Sequence, residues 1–196
     1  GQGDPSGDQQ HRDDDPADRL ELAMWAAAFP GHAWGLDPSG TPGSLTRISP
    51  STLRRLHRSW ARPQNLVVAI TGEFDAEYAL GRLRHLETLL PEGPAFAAPS
   101  PTAPIPHARI SLRSARDQAH LVTAWEGLTV ADPEVAVLDV LIELLGGQAG
   151  RLFLELREAE GLAYSVGASS LDGLVAGLIT CAVATDPARL DEAERR

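Results

Sequence analysis

Apolar side chains recur at helical spacing in several stretches of the chain. After Pro16, the residues Leu20, Met24 and Ala27 fall on one face. Ser49-Pro50 has the form of an N-cap followed by proline at the first helical position, and Leu53, Leu56, His57 and Trp60 then form a stripe. Asp75 is placed to cap a helix in which Leu80, Leu83, Leu86 and Leu90 keep the period. Asp132-Pro133-Glu134 starts another helix with a cap and an acidic first turn. Val135, Leu138, Ile142 and Leu145 line its face, and Gly146-Gly147 ends it. A short helix over 151–159 carries Leu152, Phe153 and Leu156, and Asp186-Pro187 opens a last one.

Between the helices lie strand-like runs. "NLVVAITG", closed by Gly72, reads as a buried strand, because both its faces are apolar. "ARISLR" and "QAHLVTAWEG" read as two more, and two follow near 162–170 and 174–184. "FPGHAWGLDPSGTPGS" is a turn-rich loop. Residues 91–106 hold six prolines, so neither a helix nor a central strand survives there; they read as a semi-extended linker. The expected organisation has four parts. Residues 1–15 are a polar, acidic, disordered or frayed lead. Residues 16–90 are the later part of a first α+β domain, 91–106 the linker, and 107–196 the first part of a second α+β domain. The last helix stops without a cap, so the chain reads as a fragment.

Composition narrows the function classes. Hydrophobic residues make up 43% of the chain, enough for a packed core. The formal net charge is −10, which argues against nucleic acid or an anionic membrane as a partner, since both need clustered cations. No stretch reaches the ~18 apolar residues of a membrane span. The apolar core of a secretory signal is absent from the opening residues, which for a fragment bears little on the parent protein; the compartment is left open, with a soluble bacterial protein of the cytoplasm or periplasm expected. All 17 basic residues are arginine, a bias associated with high-GC bacterial sources. The single cysteine, Cys181, excludes an internal disulfide and a multi-thiolate zinc site. It lies in the apolar run "GLITCAVAT" and reads as a buried, inert thiol.

Five pieces, in order, carry a family resemblance: "FPGHAWG", "ISPSTLRRLHRSWARPQNLVVAITGEFD", "DQAHLVTAW", "DPEVAVLDVLIELLGGQAGRLFLELREAEGLAYSV" and "ATDPARLDEA". In this it resembles the insulinase (pitrilysin-like) zinc metallopeptidases, including the mitochondrial processing peptidases. The resemblance implies antiparallel sheets with helices packed on one face, and halves that close around a peptide or unfolded-protein substrate. It also implies zinc in the complete enzyme, held by an H-x-x-E-H helix whose glutamate is the general base. That motif is absent here: His11, His32, His57, His85, His107 and His120 are never three or four apart. The family's third ligand, a glutamate ahead of the "DDDP" stretch, is absent too, since Glu21 is the first glutamate in the chain. This chain alone is therefore expected to bind no zinc and hydrolyse no peptide. The zinc-bearing half would be in cis or on a heterodimer partner.

The resemblance also singles out Arg157 and Tyr164. An arginine and a tyrosine at this seven-residue spacing contact the substrate in active family members. A phenol can stabilise the oxyanion of peptide hydrolysis, and a guanidinium can hold substrate carbonyls. The competing reading makes Arg157 a last-turn charge favoured by the helix dipole and Tyr164 an ordinary strand aromatic. Three functions stand side by side: part of a zinc endopeptidase, a non-catalytic subunit that grips peptide, or a structural relative without proteolysis.

Overall fold

The structure, a computed structural model, describes residues 15–97, 105–113 and 117–196. The expected lead up to residue 14 and the middle of the proline-rich stretch lie outside the described residues. The helices expected after Ser49 and Asp75 form with those caps, and a short one forms inside the stretch expected to be loop. Asp15 caps α1 (Pro16–Ala28), its carboxylate accepting from the Ala17 amide at 2.8 Å. A four-residue helix, α2 (Pro42–Leu45), closes a capping box between Thr41 and Ser44. Ser49 caps α3 (Pro50–Trp60) and Asp75 caps α4 (Ala76–Leu89). α5 (Val135–Gly146) begins at Val135, with Asp132 accepting from the Glu134 amide in the turn before it. Its first turn carries no acid, because Glu134 stays outside the helix.

Three strands, β1 (Ala119–Gly127), β2 (Ala163–Asp172) and β3 (Gly177–Thr185), make an antiparallel sheet in the order β1-β3-β2. The α+β class is as expected. β3 pairs along both sides, from Ala119↔Thr185 and Ala163↔Thr185 at one end to Gly127↔Gly177 and Asp172↔Gly177 at the other. Pairing parity splits the side chains into two faces. Val183, Ala163 and Val166 pack with Leu156, Leu162 and Ala193, the last from the closing helix α6 (Leu190–Arg195). On the opposite face, Leu178 and Ala124 pack with Met24, Trp25, Ala28 and Phe29 of α1 and its end, and with Trp34. The rings of Phe29 and Trp34 meet edge to face at 5.1 Å.

Two compact units result, Gly1–Ser39 with Pro99–Arg196, and Gly40–Ala98. This differs from the expected grouping of 16–90. The α1 stripe buries against Leu178, far along the chain, and that contact assigns it to the sheet unit. The second unit has no buried residue among those described. Leu53, Leu56 and Trp60 on α3 are each at least half exposed, and Val67 is 97% exposed. The expected strand "NLVVAITG" is extended but unpaired, because no described strand is there to complete a ladder. Part of the linker is clipped back within this unit. The Arg62 guanidinium donates to the Pro94 carbonyl at 3.1 Å, and the Phe96 ring lies 4.2 Å from that of Trp60.

"ARISLR" also fails to pair, and its residues instead line a cavity of about 780 Å³ beside the outer edge of β1. Gly146 proves to be more than helix punctuation. A Cβ there would lie 2.5 Å from the Ala168 amide nitrogen, so the glycine permits α5 to approach β2.

Thr185 is fully buried, and its hydroxyl donates to the Leu162 carbonyl at 2.6 Å. Thr185→Val keeps the shape and removes the donor, leaving a buried carbonyl without its partner. Urea unfolding should show a loss of about 1–3 kcal/mol, with Thr185→Ser losing less. Burial pushes the Cys181 thiol pKa up. A folded pKa above the unfolded one gives a contribution that is full below the ordinary thiol range and lost as pH rises through the folded value. Native Cys181 should therefore react slowly with iodoacetamide at alkaline pH and fast in urea. Stability should fall as pH passes the thiol range, and Cys181→Ala should abolish that fall.

Candidate functional site

Arg157 and Tyr164 stand on either side of one turn, and each lies on irregular backbone. The helix at Arg151 and Leu152 widens to π geometry over Phe153–Ala159, with the Glu160 amide reaching back five residues to the Glu155 carbonyl at 3.1 Å. Such widening is rare, and it rotates the side chains that follow it relative to an α-helix. Arg157 lies within it, exposed, its guanidinium carbon 5.1 Å from the centroid of the Phe153 ring. The segment ends at Gly161, whose φ of 56° is the left-handed region that favours glycine. The Leu162 amide closes the turn onto the Leu156 carbonyl at 2.7 Å, and both leucine side chains are buried.

β2 then begins with a bulge. Ala163 pairs with Thr185 and Ser165 with Ala184, so Tyr164 is the extra residue with no partner of its own on β3. A bulge re-aims the side chain it carries and bends its strand. Tyr164 is 53% exposed, so its ring is not a core element. β2 is an edge strand, its outer side unpaired among the described residues. No hydrogen bond or ion pair links Arg157 to Tyr164 among the described residues, and neither lines the two cavities on the sheet unit.

One of those cavities reaches the pair's neighbourhood. It measures about 630 Å³ and lies between α1 and the sheet, with Trp25, Val122, Gly167 and Ala182 in its lining. Ser165, the residue after Tyr164, lines it too. The sequence held a signal for it: small residues at Gly167, Ser169, Thr180 and Ala182 fall on one face of paired strands. Those small side chains leave depth under the helix.

His32 accepts from the Trp34 amide at 3.3 Å, His57 and His85 are exposed on their helices, and His120 is half-buried on β1. Among the described residues no three His, Cys, Asp or Glu side chains are grouped to hold a metal ion, so the described part of this chain does not fit zinc. No helix among them is long and apolar enough to cross a membrane.

Known proteins resemble this chain in sequence and in fold. The profile of the family described as the peptidase M16 inactive domain matches residues 47–196. An uncharacterized zinc protease of Mycobacterium leprae is 34% identical over 161 residues, covering 79% of this chain and 36% of the relative. One from Streptomyces coelicolor is 30% identical over 165 residues, covering 79% and 35%. The chain thus spans about a third of the length of these curated relatives. Among solved structures, a peptidase M16 inactive domain from Pseudomonas fluorescens superposes with a TM-score of 0.86 at 23% identity, covering 95% of this chain and 46% of that one. A protease from Helicobacter pylori gives 0.80 at 17%, covering 97% and 49%. A chain of complex III from Candida albicans gives 0.74 at 18%, covering 93% and 45%. These structural likenesses establish the fold, and the profile match establishes descent. The chain belongs to the insulinase (M16) zinc peptidase family, as its inactive, C-terminal-domain region.

Proposed function

We propose that this chain contributes the substrate-contacting part of an M16-type zinc endopeptidase, with Arg157 and Tyr164 facing the peptide near its scissile bond. The observation that carries the reading is the backbone at the pair. A π-helical turn, a left-handed glycine and a β-bulge occur within twelve residues, from Phe153 to Tyr164, and the π turn and the bulge each leave a polar side chain exposed. Irregular backbone of this kind is costly and persists where it orients functional groups. The free edge of β2 adds to the support, since an extended peptide can pair with such an edge through its main chain.

Zinc belongs to another part of the complete enzyme, in cis or on a partner subunit. The unit Gly40–Ala98 fits that view. It carries apolar helix faces and the unpaired run "LVVAI" with no core of its own, as expected of a domain whose remaining strands are elsewhere. In hydrolysis, negative charge builds on the scissile carbonyl oxygen. The Tyr164 hydroxyl donates a hydrogen bond to it, and the Arg157 guanidinium holds a neighbouring substrate carbonyl or carboxylate. A structural role without proteolysis is the second reading, favoured by the likeness of fold to a complex III chain.

Tyr164→Phe separates the two. It removes one hydroxyl from an exposed ring. With the zinc-bearing half present, turnover of a peptide substrate should fall ~10²- to 10³-fold, with zinc content unchanged. Unchanged turnover would make Tyr164 an ordinary strand aromatic and defeat the reading.

A further inference from the structure

We propose that Arg189 is a positioning residue for the Arg157–Tyr164 pair, acting through the carbonyl of Gly161. The inference rests on the reading of that pair as substrate contacts. The turn between the π segment and β2 consists of Glu160, Gly161 and Leu162. Two hydrogen bonds fix Leu162: its amide donates to Leu156, and its carbonyl accepts from the buried Thr185 hydroxyl. At Gly161 the chain reverses in the left-handed region, and a Cβ would meet nothing within 4 Å. The Gly161 carbonyl shares its peptide plane with the Leu162 amide, so the bond to Leu156 holds one end of that plane. The Arg189 guanidinium holds the other end, with Nη1 donating to the Gly161 carbonyl at 2.9 Å.

Arg189 is itself aimed. Its Nε donates to Glu192 Oε2 at 3.0 Å, and its amide donates to the Asp186 carbonyl at 2.9 Å in the short turn before α6. The guanidinium is planar, so a fixed Nε sets the direction of Nη1. The shared hydrogen bond raises the Arg189 pKa and lowers that of Glu192, so both stay charged through the neutral range. Glu160, at the same turn, is paired with Arg196 at 3.4 Å and competes less for Arg189 than a free carboxylate would. A chain of contacts therefore runs from α6 through Arg189 to Gly161, the hinge between the two candidate side chains. The contact is solvent-exposed and its loss should not move global stability. A local effect without a global one is what distinguishes positioning from packing.

The test compares wild type with Arg189→Met and Arg189→Lys. Both tyrosines, Tyr78 and Tyr164, are labelled as 3-fluorotyrosine in the purified chain. Arg189→Met should shift or broaden the Tyr164 fluorine signal, leave Tyr78 alone and leave the melting temperature unchanged; Arg189→Lys, with a donor but no fork, should recover the signal in part. With the zinc-bearing half present, Arg189→Met should lower kcat about 10- to 100-fold while KM holds, as misplacement of a reacting group does. The same substitution in a Tyr164→Phe, Arg157→Met background should then cost nothing further. An unmoved Tyr164 signal overturns the proposal, and so does an equal kcat loss in the double-variant background. If Tyr164→Phe alone leaves turnover intact, the substrate-contact reading fails, and the fluorine spectrum still decides whether Arg189 sets the turn.

Discussion

β3 is hydrogen-bonded on both sides, and its last residue, Thr185, faces the first residues of both neighbours. That pairing fixes the geometry of the sheet unit. Once Thr185 is placed, its hydroxyl captures the Leu162 carbonyl in a fully buried position, where a missing partner would be costly. Leu162 is thereby pinned to the sheet. The π segment before it and the bulge after it must accommodate that fixed point. Arg157 and Tyr164 take their positions from this constraint rather than from any contact with each other.

The two faces of the sheet divide the remaining work. On one, α5 approaches β2 closely enough that Gly146 has no room for a side chain, and Leu156, Leu162, Val183 and Ala193 form a small core. On the other, α1 and the aromatic group of Trp25, Phe29 and Trp34 bury Leu178 and leave a cavity over the small residues of β2 and β3. The candidate side chains emerge at the end of the sheet where Ala163 and Ser165 bracket the bulge. The rigid part of the unit thus lies behind them and the open edge of β2 beside them.

Much of this was legible in the sequence, and the failures have physical causes. Helices were readable where a short polar side chain preceded a proline or an apolar stripe, as at Ser49 and Asp75, whereas Thr41-Pro42 in the turn-rich loop starts a helix that was not read. β1 and β3 were readable as apolar runs, and β2 as a strand of small residues. "NLVVAITG" and "ARISLR" carry equally good strand patterns, yet neither forms a ladder. A strand is a property of a pair, and local pattern does not supply the partner. The home of α1 was hidden for a similar reason, because its stripe says that a face is buried but not against what. Gly146 was visible as a glycine, but its reason, the Ala168 backbone, is distant in sequence. At the site, the family resemblance pointed to Arg157 and Tyr164, while their spacing alone did not. The π widening and the bulge that present them left no trace, since Leu152 and Leu156 keep ordinary helical spacing and "AYSV" looks like regular strand.

The central claim is that this turn aims Tyr164 at a bound peptide. Photocrosslinking tests it most directly. The complete protein, carrying p-benzoylphenylalanine in place of Tyr164, is irradiated with a peptide substrate under conditions that prevent turnover, and the adduct is mapped by mass spectrometry. The account predicts a crosslink to substrate residues flanking the scissile bond. Crosslinks confined to the protein's own chain, with the peptide demonstrably bound, would contradict it.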